Sequence, residues 1–293
     1  TYQEIAASGG GILNSARKLR AMDEDALHDQ ARARLEEMMQ QGTVAVEIKS
    51  GYGLSLESEL KMLRVAARLK AALPLQVRTS LLAAHALPAE FANDREGYLR
   101  MITDELLPAV ASEGLAQYID AFCEANYFTV AEMERLLEAG ARHGLPGKVH
   151  VNQFTSLGGV AAAVRHGARS VDHLEVMTDA DLDVLSGADT IPTLLPSCSF
   201  FLRIPYAPAR ALIDRGCAVA LASDHNPGST PSGNMNFVVS LACIQLRMLP
   251  EEAINAATLN AAAAMDLGAE LGCRGDREAV LGDAVEKLPE QFT

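Results

Sequence analysis

Four histidines in this chain stand where a side chain can do chemistry. His85 follows the run VRTSLLAA at 77–84, and His150 lies in KVHVNQ. His173 follows SVD at 170–172, and His225 follows Asp224 after AVALAS at 218–223. All four fall at or near the C-terminal ends of short apolar runs. Neutral imidazole suits zinc or iron, and a carboxylate such as Asp224 completes that kind of set. A catalytic metal keeps a position open for water and lowers the pKa of that water toward about 7. In such a site Asp224 serves both as ligand and as acceptor of the attacking proton. His173 orients the water or stabilises charge on the substrate oxygen. A single strand-end histidine is more often a satisfied core or loop residue. Four on separate strands, converging with an aspartate, fit that explanation poorly. The remaining three, His28, His143 and His166, lie within or at the ends of polar helical stretches and read as solvated surface residues.

The elements that would position these side chains alternate. Apolar, largely β-branched runs occur at 43–48, 77–84, 118–123, 148–151, 170–172, 190–195 and 218–223. Amphipathic stretches with apolar residues three and four apart lie between them, as at 56–72 and 130–143. Gly42, Gly114, Gly144 and Gly216 sit where a helix would stop before the next strand. Strand alternating with helix implies parallel βαβ units. Seven strands serve either an open doubly wound sheet or a (β/α)₈ barrel short of one strand. No glycine-rich nucleotide loop follows any strand, which favours the barrel. In a barrel the strand C-termini meet on one face, and that face carries the active site. The pattern changes after about Leu267, so residues 1–267 read as an incomplete catalytic barrel. Residues 268–293 read as a charged C-terminal tail, either a remnant of a small β-domain or a departure from one.

With 293 residues, 49% of them hydrophobic, the chain can bury a large core. Its formal charge of -13 argues against nucleic acid or an anionic membrane surface as a partner. No apolar run reaches the roughly 18 residues of a membrane span. Five scattered cysteines with no CxxC pair argue against a disulfide framework or a thiolate zinc site. Each, Cys198 in LLPSCSFF included, reads as a small packing residue. The absence of GxSxG weighs against a serine-nucleophile mechanism. With no signal peptide in view, a cytoplasmic location is expected.

Six stretches resemble the imidazolonepropionase family of the amidohydrolase superfamily. They are EIAASGGGI at 4–12, VEIKSGYGLSLESELKML at 46–63, LLAAHALP at 81–88, KVHVNQFTSLGG at 148–159, SVDHLEVM at 170–177 and ALASDHNPGSTPSGNM at 220–235. The ordered combination is specific, whereas ASDHNPG alone would suggest only the superfamily. The resemblance implies a TIM-like barrel with a small β-sandwich domain. It also implies hydrolytic opening of the ring of 4-imidazolone-5-propanoate to N-formimidoyl-L-glutamate in histidine degradation. One divalent metal, zinc or iron, is implied, with His150 and Asp224 among its ligands. Tyr52 and His85 match substrate-contacting residues, and Asn226, Gly228 and Ser229 match a loop that closes on the substrate. His173 matches a histidine that assists the water. Gln153 stands where some relatives carry an acid; its amide can orient substrate but cannot act as a base, so Asp224 is left as the base. A homodimer is implied as well. His225 receives no role.

Two features depart from the family. The chain contains no HxH, which in the family lies on the first barrel strand and supplies two further ligands. The tail CRGDREAVLGDAVEKLPEQFT lacks the run that returns to the small domain. First strand, HxH and most of the small domain are therefore expected to lie outside this chain. Another cyclic amidohydrolase or a deaminase, and an inactive binding fragment, are the competing readings. Expressed alone, the 293-residue chain is expected to turn over imidazolone propionate little or not at all. A substrate-consumption assay checks this, and clear turnover with stoichiometric metal would sink it.

Overall fold

The computed structural model describes residues 11–271. Most of the 4–12 motif, the tail from 272 onward and Cys273 lie outside the described residues. The alternating pattern becomes seven strands: β1 (Ala45–Lys49), β2 (Gln76–Ala84), β3 (Tyr118–Cys123), β4 (Lys148–Val151), β5 (Ser170–His173), β6 (Ile191–Leu194) and β7 (Ala220–Leu221). They form one sheet in sequence order, with every neighbouring pair parallel. A doubly wound sheet would reverse its order at a switch point, and this one does not. Among the described residues β1 pairs with β2 alone and β7 with β6 alone.

Side-chain contacts show that the sheet curls. Lys49 on β1 reaches Asp172 on β5, with Nζ 3.1 Å from the carboxylate. Four strand spacings of about 4.8 Å would hold these strands roughly 19 Å apart in a flat sheet. The strands therefore wrap around a common interior, as in a (β/α)₈ barrel. Strand alternation then sorts the residues. Glu47, Lys49, Asp120, Lys148, His150 and Asp172 meet inside, while Ile119, Ala121, Val149, Val151 and Val171 join the core cluster that includes helix residues.

The helices follow local signals. Helix Leu56–Ala72 starts at Ser55, whose side chain accepts from the Ser58 N–H. Helix Val130–Arg142 opens with a capping box between Thr129 and Glu132 and buries Met133, Leu136, Leu137, Ala139 and Gly140. At Gly140 a β-carbon would lie 2.4 Å from the Ile119 side chain, so only glycine lets this helix approach β3 so closely. The four glycines expected as helix stops all hold left-handed φ. No helix among the described residues is long and apolar enough to cross a membrane.

The N-terminal side of the sheet is sealed. Lys148 donates to the Ala264 carbonyl at 2.8 Å, Arg78 to the Met265 carbonyl at 3.2 Å, and the Tyr118 hydroxyl to Asp266 at 3.1 Å. The helix Leu259–Ala264 and the turn after it thus cover the strand starts and leave the C-terminal ends for chemistry. One strand is far shorter than expected. The run 218–223 pairs only at Ala220 and Leu221, against Thr193 and Leu194. The chain then turns away to present Asp224.

The half-buried Lys49 carries the interior charge balance. Lys49→Met would leave Asp120 and Asp172 buried without their cation and is expected to cost about 3–5 kcal/mol of stability. Arg64→Met removes only the exposed pair with Glu113 and is expected to cost less than about 1 kcal/mol. Urea unfolding of the two variants checks the contrast.

Candidate active site

Three of the four strand-end histidines come together. The His150 and His173 rings lie 5.4 Å apart, and His85 lies 6.2 Å from His150. Parallel register explains the first pair, because Val151 on β4 aligns with His173 on β5. Tyr52 meets His85 edge-on at 5.1 Å, and Phe122 flanks His85 and His150 at 6.0 and 6.1 Å. His225 is half-buried, and its Nδ1 is shielded without a partner. Of the histidines read as surface residues, only His143 is exposed. His28 and His166 are half-buried beside Asp29 and Glu134, because each helix face that carries them also packs inward.

His150 is held by its neighbours. Its Nδ1 lies 3.0 Å from Asp120, and Asp120 accepts from Lys49 at 2.9 Å. Burial opposes ionisation of Asp120, but His150 and Lys49 outweigh it and hold its carboxyl below the usual carboxylate range. Asp120, His150 and Asp172 are close enough to share a cation, yet the Lys49 ammonium already bonds both acids. This cluster is therefore an internal ion network that orients His150.

The GYG turn carries Tyr52. At Gly51, with φ of 97°, a β-carbon would lie 2.7 Å from the Leu82 carbonyl oxygen. Glu59, fully buried, accepts from the Gly51 and Leu54 amides at 3.0 and 2.7 Å. The His85 Nδ1 lies 3.0 Å from the Gly51 carbonyl, to which it can donate. Turn, tyrosine and histidine therefore move as one unit.

Asp224 is gripped by its own loop. Ser229 Oγ donates to Oδ2 at 2.6 Å, and the Asn226 amide donates to Oδ1 at 2.9 Å. The Asn226 side-chain carbonyl accepts from the amides of Gly228 and Ser229 at 2.8 and 2.9 Å. Expected from the resemblance to contact substrate, Asn226, Gly228 and Ser229 form here an Asx-type turn around the aspartate. Asp224 lies within electrostatic range of His85 and Cys198. Gln153 is buried and donates to Cys198 Sγ at 3.6 Å.

Non-glycine residues with left-handed backbone stand at these strand ends: Asn152 at 56°, His173 at 88°, Leu174 at 69° and Asp224 at 50°. Each costs on the order of 1–3 kcal/mol and persists because its surroundings enforce it.

No family model matches the chain. Curated relatives do. An imidazolonepropionase of Christiangramia forsetii is 57% identical over 91% of this chain and 65% of its own length. One from Flavobacterium psychrophilum is 54% identical over the same shares. One from Pseudomonas putida is 47% identical over 92% of this chain and 67% of its own. The chain belongs to the imidazolonepropionase family. It spans about two thirds of the length of these relatives. Solved structures share the fold. An adenosine deaminase from Xanthomonas campestris with bound zinc superposes with a TM-score of 0.66 at 17% identity, over 87% of this chain and 61% of that one. A guanine deaminase from C. acetobutylicum gives 0.68 at 12% identity, over 88% and 65%.

Imidazolonepropionase sequences resembling this one imply a metal, and the donor chemistry here suits one. Metal-binding histidines typically give their second nitrogen to a carboxylate, as His150 does to Asp120, which leaves Nε2 for a ligand. Asp224 adds a carboxylate. These are two donors where a catalytic zinc takes three. Lys49, Glu59, Asp120, Asp172 and Glu175 escaped the sequence reading. For the first four the signal was present, as acids and lysines at alternate positions of otherwise apolar strands and at the first turn of a helix; Glu175 lies in the loop after β5, where no such pattern marks it.

Burial and the neighbouring His150 lower the His85 pKa to about 4. Its unfolded value of about 6.5 is higher, so the unfolded chain binds the extra proton first. The contribution of neutral His85 is complete above about pH 6.5 and is lost as the pH falls toward about 4. A loss of about 2 kcal/mol across that window, absent from His85→Gln, is expected in urea unfolding at successive pH values.

Proposed function

We propose that this chain supplies the substrate-facing side of an imidazolonepropionase site, which opens 4-imidazolone-5-propanoate to N-formimidoyl-L-glutamate. The observation that carries the reading is the meeting of His85, His150 and His173, with Asp224 in electrostatic range of His85, in a chain 57% identical to an imidazolonepropionase. His150 and Asp224 would hold a divalent metal, zinc or iron. When bound, that ion supplies a Lewis acid that makes water nucleophilic at neutral pH.

The chain's own residues divide the remaining work. Asp224 takes the proton of the attacking water at its carboxylate, kept in place by Ser229 and Asn226. Burial disfavours charge on His173, but Glu175 and Cys198 outweigh it and hold its pKa well above the usual histidine value. A charged His173 stabilises negative charge developing on the substrate oxygen. His85 stays neutral at pH 7 and presents an uncharged imidazole to the substrate ring. Tyr52 packs on His85 and borders the same space. Gln153 orients the substrate and leaves base chemistry to Asp224.

The test supplies what the relatives carry outside the matched region. The segment preceding that region in the Christiangramia forsetii protein, fused ahead of this chain, is expected to give metal-dependent turnover of imidazolone propionate. In the fusion, Asp224→Asn is expected to lower kcat by about 10²–10⁴-fold. A folded, metal-loaded fusion without turnover, or Asp224→Asn retaining full activity, would overturn the reading.

A further inference from the structure

Beside the proposed catalytic residues lies a second group with metal-ligand chemistry. His173 ends β5, Glu175 follows two residues later, and Cys198 lies on the helix Pro196–Leu202 after β6. One ligand atom from each lies within 4.8 Å of the others, and all three residues are buried. We propose that His173, Glu175 and Cys198 form a second cation site, which takes a thiophilic divalent ion such as zinc or cadmium.

Glu175 provides the independent sign. Its Oε1 lies 3.4 Å from His173 Nδ1 and accepts from Ser199 Oγ at 3.1 Å. Its Oε2 is buried with no hydrogen-bond partner. An orphaned carboxylate oxygen in the interior is costly and calls for a ligand. Nitrogen, oxygen and sulfur donors suit zinc at about 2.0–2.3 Å, which places tetrahedral ligand atoms roughly 3.3–3.6 Å apart. Side-chain rotations that draw the three donors in by about an ångström would reach that spacing.

Charge also balances. A His173–Glu175 ion pair is neutral overall. A divalent ion with the Glu175 carboxylate and a Cys198 thiolate is neutral too, so loading buries no net charge. The ion displaces the Cys198 thiol proton and any proton on His173, and both go to solvent. Gln153 Nε2 stands 3.6 Å from Sγ and can donate to the thiolate. Burial pushes the free thiol up to about 11, so without an ion Cys198 is a thiol. The donors differ from those of His150 and Asp224. An ion here occupies His173 and removes it from its catalytic task.

Cadmium titration of the reduced, metal-stripped chain tests this. A thiolate-to-cadmium ultraviolet band saturating at one ion per chain is expected. Binding at His150 and Asp224 involves no sulfur and gives no such band, so the outcome is independent of the proposed activity. Cys198→Ser is expected to lose the band, and Glu175→Gln to weaken binding by roughly tenfold or more. If Cys198→Ser misfolds by circular dichroism, a chain carrying Cys123→Ser, Cys217→Ser, Cys243→Ser and Cys273→Ser, with Cys198 as its one remaining thiol, decides, with full retention of the band expected. No band in the parent chain, a band surviving in folded Cys198→Ser, or its loss in the quadruple variant would overturn the proposal.

Discussion

A lysine ammonium inside the barrel, Lys49 Nζ, ties three strands together through Glu47 at 2.7 Å, Asp120 at 2.9 Å and Asp172 at 3.1 Å. Burial strongly disfavours its charge, yet the three acids keep it protonated far into the alkaline range. Without this cation Asp120 would be drawn toward its neutral form. It could then no longer hold His150 Nδ1 as a full carboxylate. Orientation of the proposed ligand thus depends on a charge on β1, three strands away. The arrangement is strong because it is complete: Ser170 Oγ serves Asp172 at 2.7 Å, and Lys148 lies 3.3 Å from Glu47. Removing Lys49 leaves Asp120 and Asp172 without the ammonium they share.

Distance along the chain hides this network from a sequence reading, although its elements were visible. Strands β3 and β4 and the helix Leu56–Ala72 have the bounds that their hydrophobic periodicity implies. Parallel strands followed from the strand–helix alternation, whereas open sheet against barrel was decided by the unreversed strand order and by the contact between Lys49 and Asp172. Within VEIK, YIDAFC and KVHV the charged residues fall at alternate positions, which marks an inward polar face once the strand is known to line a barrel. Taken alone, such residues look like the solvent side of an edge strand. What pattern cannot give is the partner, because Lys49 and Asp120 are 71 residues apart and meet only after the sheet closes.

The loop 224–230 shows a different limit. As a string, NPGS predicts a turn, and the family resemblance assigns it to the substrate. In the structure its polar atoms are largely spent on Asp224. These descriptions are compatible in one way: a turn that fixes a carboxylate beside a reacting centre also sets how close its backbone can come to a ligand. The left-handed backbone of Asp224 belongs to the same arrangement. Strain at that residue is retained because Ser229 and Asn226 hold both carboxylate oxygens. Cys198 was legible only as packing, since its importance lies in who its neighbours are: His173 and Glu175 on one side, Gln153 on the other.

Two neighbouring histidines are pushed in opposite directions, and that opposition is what a division of chemical labour requires. His85 has aromatic rings and another imidazole around it and no hydrogen-bonded acid, so desolvation wins and it stays neutral. His173 is more completely buried but faces Glu175, so charge on the ring is compensated. A ring that must pack against a planar substrate is best uncharged, because an imidazolium would demand an anion there. A ring that must meet charge developing on an oxygen is best protonated before the oxygen arrives, since no proton then has to move to create the stabilising field. Burial works against charge on both rings, so the presence or absence of one carboxylate separates them. Glu175 therefore determines the electrostatics of this end of the barrel as much as the histidine it faces.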